Sequence, residues 1–194
     1  MSQNADQPCI DRVINGDTQA FSVLVDRYKY MVYTLAMKIL RNHEEAEEVS
    51  QDVFLKVFQA LASFKGDSKF STWIYKITYN KSLDYLKKQG RHLKTASIDQ
   101  FREYNIASLD NAIDALEADD RKVTIKNAMK ELAEDDAIVL TLHYYEELSL
   151  KEISKIMGIA ADTVKVRLFR SRKRLAKLLQ DRLEPETLGN YGKR

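Results

Sequence analysis

Cysteine is nearly absent from the chain. Cys9 stands alone, so no intramolecular disulfide can form, and the three histidines, His43, His92 and His143, lie too far apart in sequence to suggest a metal-ligand spacing. No metal and no cofactor are expected. Glycine (six) and proline (two) are also scarce, which leaves few places where a regular helix would be interrupted. No run approaches the ~20 uncharged apolar residues that span a bilayer. The opening MSQNADQP has neither the basic end nor the apolar stretch of a signal peptide, so the expected location is the cytoplasm, without membrane insertion.

What is plentiful is charge, and it is sorted along the chain. The net charge is only +2. Yet residues 65–94 hold eight Lys or Arg against Asp67 and Asp84, and residues 163–180 hold seven with no acid. Between them Asp99, Glu103, Asp110, Asp114, Glu117, Asp119 and Asp120 stand against Arg102 alone. Two basic blocks separated by an acidic segment suggest two contacts with one polyanion.

Apolar residues recur at three- and four-residue steps, which predicts an all-α chain. Helices are expected over residues 8–14, 17–41, 42–62 and 71–88, with Asp17 and Asn42 as N-caps and Phe21, Leu24, Tyr28, Val32, Leu35 and Ile39 as the buried stripe of the second. Four more are expected over 121–132, 134–145, 150–157 and 162–182, with Pro185 beyond the last. This gives two small helical domains, 1–90 and 121–183, joined by an acidic linker over 91–120 and followed by a tail over 184–194.

The second domain carries the clearer motif. Ser149 and Glu152 have capping-box spacing, and the short helix that they open reaches Met157-Gly158 before a long basic helix, the order of a helix-turn-helix. On that second helix Val164, Leu168, Ser171, Leu175 and Leu178 share one face, and Val166, Phe169, Arg170, Lys173 and Lys177 lie opposite. A basic face made only for solubility would intersperse Glu, and none is present. Arg170 and Lys165 suit base edges, Val166 and Phe169 suit thymine methyls, and Arg172, Lys173 and Lys177 suit phosphates; Thr163 stands at the helix start.

In the first domain the runs AEEVSQDVFLKVFQAL and FKGDSKFSTWIYKITYNKSLDYLKK, and in the second LSLKEISKIMGIAADTVKVRLFRSRKRL, closely resemble regions 2.2, 2.3 to 2.4 and 4.2 of bacterial extracytoplasmic-function sigma factors. The resemblance implies a transcription initiation factor and no catalysis. Its implied partners are core RNA polymerase, through the β′ clamp helices and the β flap, promoter DNA, and an anti-sigma factor. Glu48, Gln51, Asp52 and Leu55 take the places that dock on the clamp helices. Spacing agrees, because Glu48, Asp52 and Leu55 share the helix side opposite Val49, Val53, Val57 and Leu61.

The loop Phe64, Lys65, Gly66, Asp67, Ser68 and Lys69, ending at Phe70, aligns with the family's specificity loop, which captures a flipped base of the −10 element. Tyr75, Lys76, Tyr79, Asn80 and Lys87 are the further candidates for the strand-facing side, while Trp73 and Ile77 are expected in the core. The acidic segment 98–120 is implied to thread toward the polymerase active centre. Two other classes compete. A ligand-sensing helix-turn-helix repressor would leave the first basic block unexplained, and a nucleic-acid enzyme would need a carboxylate cluster, a glycine-rich phosphate loop or a nucleophile with its base.

Overall fold

A computed structural model describes residues 5–93 and 118–189. Among them the elements are helices and turns, with no strand: α1 (Gln7–Ile14), α2 (Ala20–Leu40), α3 (His43–Ala60), a 3-10 turn (Leu61–Ser63), α4 (Phe70–Lys88), α5 (Ala118–Glu131), α6 (Glu134–Leu140), a π turn (Thr141–Tyr145), α7 (Leu150–Met157) and α8 (Ala161–Gly189). Residues 94–117 of the expected linker, and residues 190–194 of the expected tail, lie outside the described set.

The chain divides into two compact units, Met1–Leu93 with Ser149–Ala160, and Lys94–Leu148 with Ala161–Arg194. α7, within the second domain expected over 121–183, groups with the first unit. Polar contacts join α7 to that unit. Glu152 on α7 accepts from Thr72 Oγ1 at 3.4 Å and pairs with Lys69 Nζ at 3.4 Å, while Lys155 Nζ reaches the Asp67 carbonyl at 3.4 Å.

In the first unit α2, α3 and α4 pack pairwise around Leu24, Val32, Leu35, Ile39, Val49, Val53, Val57, Leu61, Phe70 and Ile74. Four residues of the expected α2 stripe are buried. The other two sit at its rim, where Phe21 meets Phe58 edge-on and Tyr28 meets Phe70. The buried Asp6 ties α1 down, accepting from Tyr28 Oη at 2.6 Å and from Arg27. Burial first, and the Asp6 carboxylate second, push the Tyr28 phenol upward, so it stays a neutral donor.

Asp17 is not the cap of α2. Its carboxylate accepts from the Ala20 amide at 3.2 Å and from Arg12 at 2.6 Å, so residues 17–19 make a turn and the helix starts at Ala20. Asn42 does cap α3, with Oδ1 accepting from the Glu45 amide at 3.1 Å, and Glu44 and Glu45 in the first turn favour the positive end of the helix dipole.

In the second unit α5, α6 and α8 enclose Ala128, Met129, Leu132, Ile138, Leu140, Leu142, Val164, Leu168, Ala176 and Leu179. The helix expected over 134–145 changes character at Thr141, where a π turn carries Tyr144 and Tyr145 to the surface. Leu148 then closes the turn, its amide donating to the Leu142 carbonyl at 3.0 Å. α8 runs through Pro185 to Gly189 rather than stopping near Arg182. Proline removes one amide donor, but its fixed φ is a helical one.

Candidate polymerase and nucleic-acid interfaces

α3 has two unlike sides. Val49, Val53 and Val57 are buried, and Glu48, Gln51, Asp52 and Leu55 are exposed, with Leu55 61% exposed. An exposed leucine gains from burial if a partner covers it. The acids are lightly held by the end of α4: Tyr85 Oη donates to Glu48 at 3.2 Å, Lys81 approaches Asp52 at 3.9 Å, and Arg91 pairs with Glu45 at 2.6 Å. Burial and the Glu48 charge hold the Tyr85 phenol above its ordinary value.

The second surface is the loop from Phe64 to Lys69 and the outer side of α4. Lys65, Gly66, Asp67 and Lys69 are exposed, Ser68 half-buried, and Gly66 has a φ of +75°, where an added Cβ would be strained although the space is open. Beneath the loop Phe64, Phe70 and Trp73 form an aromatic cluster with ring centroids 5.1 to 5.6 Å apart. Lys76, Asn80 and Lys87 face outward along α4.

Tyr75 and Tyr79 correct the sequence reading, because only 2% and 7% of each is exposed. α4 buries Phe70, Ile74, Thr78, Tyr75 and Tyr79, an arc wider than one amphipathic stripe that takes in both tyrosines. Trp73, expected in the core, is half-buried against Phe64 and the buried Phe70, one turn from Lys76 and Ile77. Its place in line with Lys76 and Asn80 at helical spacing is the signal in the sequence that points outward.

The third surface is on α8. Ser149 and Glu152 make the complete capping box at the start of α7, and Gly158, left-handed at φ +68°, ends that helix three residues before α8. The Glu152 carboxyl lies below its usual range: burial opposes ionisation, but the Ser149 hydroxyl and amide, together with Lys69, outweigh it. Along α8, Thr163, Lys165, Val166, Phe169, Arg172 and Lys177 are exposed and Arg170 and Lys173 are half-buried, so the expected outer side is outward. Lys173 Nζ sits 4.8 Å from the centroid of the Phe169 ring, a cation–π contact. Val164, Leu168 and Ser171 are buried as the stripe requires, but Leu175 and Leu178 are only half-buried and Ala176 and Leu179 complete the inner side.

Sequence comparison bears on the same residues. Sigma-70 region 2 matches residues 24–92, and sigma-70 region 4 matches residues 122–175. The RNA polymerase sigma-H factor of Pseudomonas aeruginosa is 33% identical over 186 residues, 93% of this chain and 96% of its own length. The chain belongs to the extracytoplasmic-function sigma factors of RNA polymerase.

The sigma-E factor of Escherichia coli, named as a member of that group, is 32% identical over 184 residues, 92% of this chain and 96% of its own. The fold agrees with two solved structures. CnrH in complex with the cytosolic domain of CnrY aligns with a TM-score of 0.62 at 23% identity, over 91% of this sigma factor and 98% of that chain. The Bartonella quintana sigma factor RpoE, solved with the anti-sigma factor NepR, gives 0.57 at 20% identity, over 82% and 96%. Region 2 covers the α3 surface and the loop with α4; region 4 covers α7 and residues 161–175 of α8.

Proposed function

We infer that this sigma factor binds core RNA polymerase and directs promoter-specific transcription initiation, with regions 2 and 4 as its two DNA-reading segments over residues 1–90 and 121–183. The observation that supports it most is the coincidence of each exposed basic surface with a matched sigma region. In this reading Glu48, Gln51, Asp52 and Leu55 dock on the β′ clamp helices. Electrostatics and one apolar anchor would then share the work, as they do at interfaces with a small hot spot.

The loop Phe64 to Lys69 takes a base of the −10 element out of the non-template strand. Phe64 and Trp73 offer aromatic surface for stacking, and Lys65, Lys69, Lys76 and Lys87 offer charge for the backbone, with Asn80 as a base-edge partner. Tyr75 and Tyr79 take no part in this surface and act as core. On α8, Arg170 and Lys165 read base edges of the −35 element, Val166 and Phe169 meet thymine methyls, Thr163, Arg172, Lys173 and Lys177 hold phosphates, and the β flap supports region 4.

No residue is assigned catalysis; the chemistry is the polymerase's. Among the described residues no group of His, Cys, Asp or Glu is placed to hold a metal, and no helix is long and apolar enough to cross a membrane. The site of action is the cytoplasm, where the polymerase is. An anti-sigma factor is the inhibitory partner proposed, by analogy with RpoE and NepR.

Exchanging residues 64–70 with those of another member of the family tests the assignment of the loop. Preference should move at a single non-template position of the −10 element. Movement at the −35 element instead would refute it.

A further inference from the structure

Of the seven basic residues on α8 between 163 and 180, two pair with acids of α6. Arg174 Nη1 lies 2.7 Å from Asp136 Oδ2, with the Asp136 side chain 1% exposed, and Arg167 Nη1 lies 3.3 Å from Asp135 Oδ2. Between them Ser171, itself buried, donates its hydroxyl to Asp136 Oδ1 at 2.6 Å. Residues 167, 171 and 174 are spaced i, i+4, i+7 and so share one face of α8. Both carboxylates come from the first turn of α6, where the helix dipole favours negative charge.

Apolar packing at the inner side of α8 is non-directional, whereas a buried, hydrogen-bonded ion pair requires a particular geometry. Displacing Arg174 leaves Asp136 charged and desolvated, a strongly unfavourable state, so the pair selects one rotation. We propose that Asp135 and Asp136 are positioning residues for promoter recognition: through Arg167, Ser171 and Arg174 they set the rotation of α8 that aims Lys165 and Arg170 at base edges. They also withhold two arginines from the DNA backbone. This rests on the assignment of α8 as the −35 reader.

The test uses holoenzyme reconstituted from the full chain and core polymerase, with two promoter libraries, one randomised across −35 and one across −10. Bound DNA is sequenced. Asp136→Asn should lower the enrichment of preferred over scrambled −35 sequences at least tenfold, while the −10 preference stays at the parent level. A merely structural role would instead reduce recovery of every sequence and both preferences together, which would overturn the proposal. The double variant Asp136→Asn with Arg174→Met removes the uncompensated charge and should melt like the parent, yet keep the flattened −35 preference. If the double variant recovers that preference, rotation is set by packing and the proposal fails. Arg170→Ala run in parallel separates the two levels. Failure of Arg170→Ala to flatten −35 preference rejects the reader assignment itself, whereas a flattened Arg170→Ala beside an unaffected Asp136→Asn rejects the positioning role alone.

Discussion

Leu55→Ala isolates the apolar part of polymerase docking. Full burial of a leucine side chain is worth about 1.5–3 kcal/mol. With 61% of Leu55 still exposed in the chain alone, a partner that covers it has about 1–2 kcal/mol left to gain. Alanine keeps part of that area, so truncation should cost about 1 kcal/mol of association, roughly a fivefold rise in Kd for core polymerase. The fold should not suffer, because the position is exposed on α3 and alanine is the better helix former. Fluorescence anisotropy of the N-terminally labelled chain, titrated with core polymerase, reads Kd directly, and a thermal melt checks the fold. Asp52→Lys provides the electrostatic counterpart. It gives up a long contact with Lys81 at 3.9 Å, yet reverses a charge on the side proposed to dock. Unchanged affinity in both variants would rule out this side of α3 as the docking surface.

Arg170→Ala should cost about 1–3 kcal/mol at the preferred −35 element and flatten one base position. Lys177→Ala should weaken all duplexes alike and reduce the log-log salt slope by about one, and equal losses for the two variants on every sequence would count against the division of roles. Asn42→Ala should destabilise the first unit by about 0.5–2 kcal/mol through loss of the Glu45 amide's partner, read as a lower denaturant midpoint. Glu152 is depressed below the ordinary glutamate value of 4.5, so its share of stability is complete above about pH 4.5 and is lost as pH falls through the lower folded value. An NMR titration of the Glu152 carboxyl should show that lowered midpoint, and an ordinary one would contradict the capping geometry.

Helical periodicity identifies the buried stripe of α3 and the four buried residues of the expected stripe on α2. α4 is harder. Its buried residues run from Phe70 and Ile74 through Thr78 to Tyr75 and Tyr79, a wider arc than one stripe, and a one-stripe reading sends both tyrosines to the DNA side. On α8 the signal is present but subtle: Ser171, a polar residue in the middle of an apolar stripe, marks the Asp136 contact. Its flanking arginines cannot be assigned inward without knowing that α6 brings two carboxylates to meet them. The place of α7 with the first unit has no local signal, since Lys69 and Glu152 are paired only by the fold. The π turn at Thr141 likewise has no glycine or proline to announce it.

Whether the chain directs polymerase to promoters is decided by adding it to core polymerase with a genomic promoter library and sequencing the transcripts' 5′ ends. The expected outcome is a stoichiometric complex and initiation confined to start sites that share a −10 and a −35 element, the former altered by exchange of residues 64–70 and the latter by Arg170→Ala. A chain that binds duplex DNA but forms no complex with core polymerase, or leaves its initiation sites unchanged, is not acting as a sigma factor.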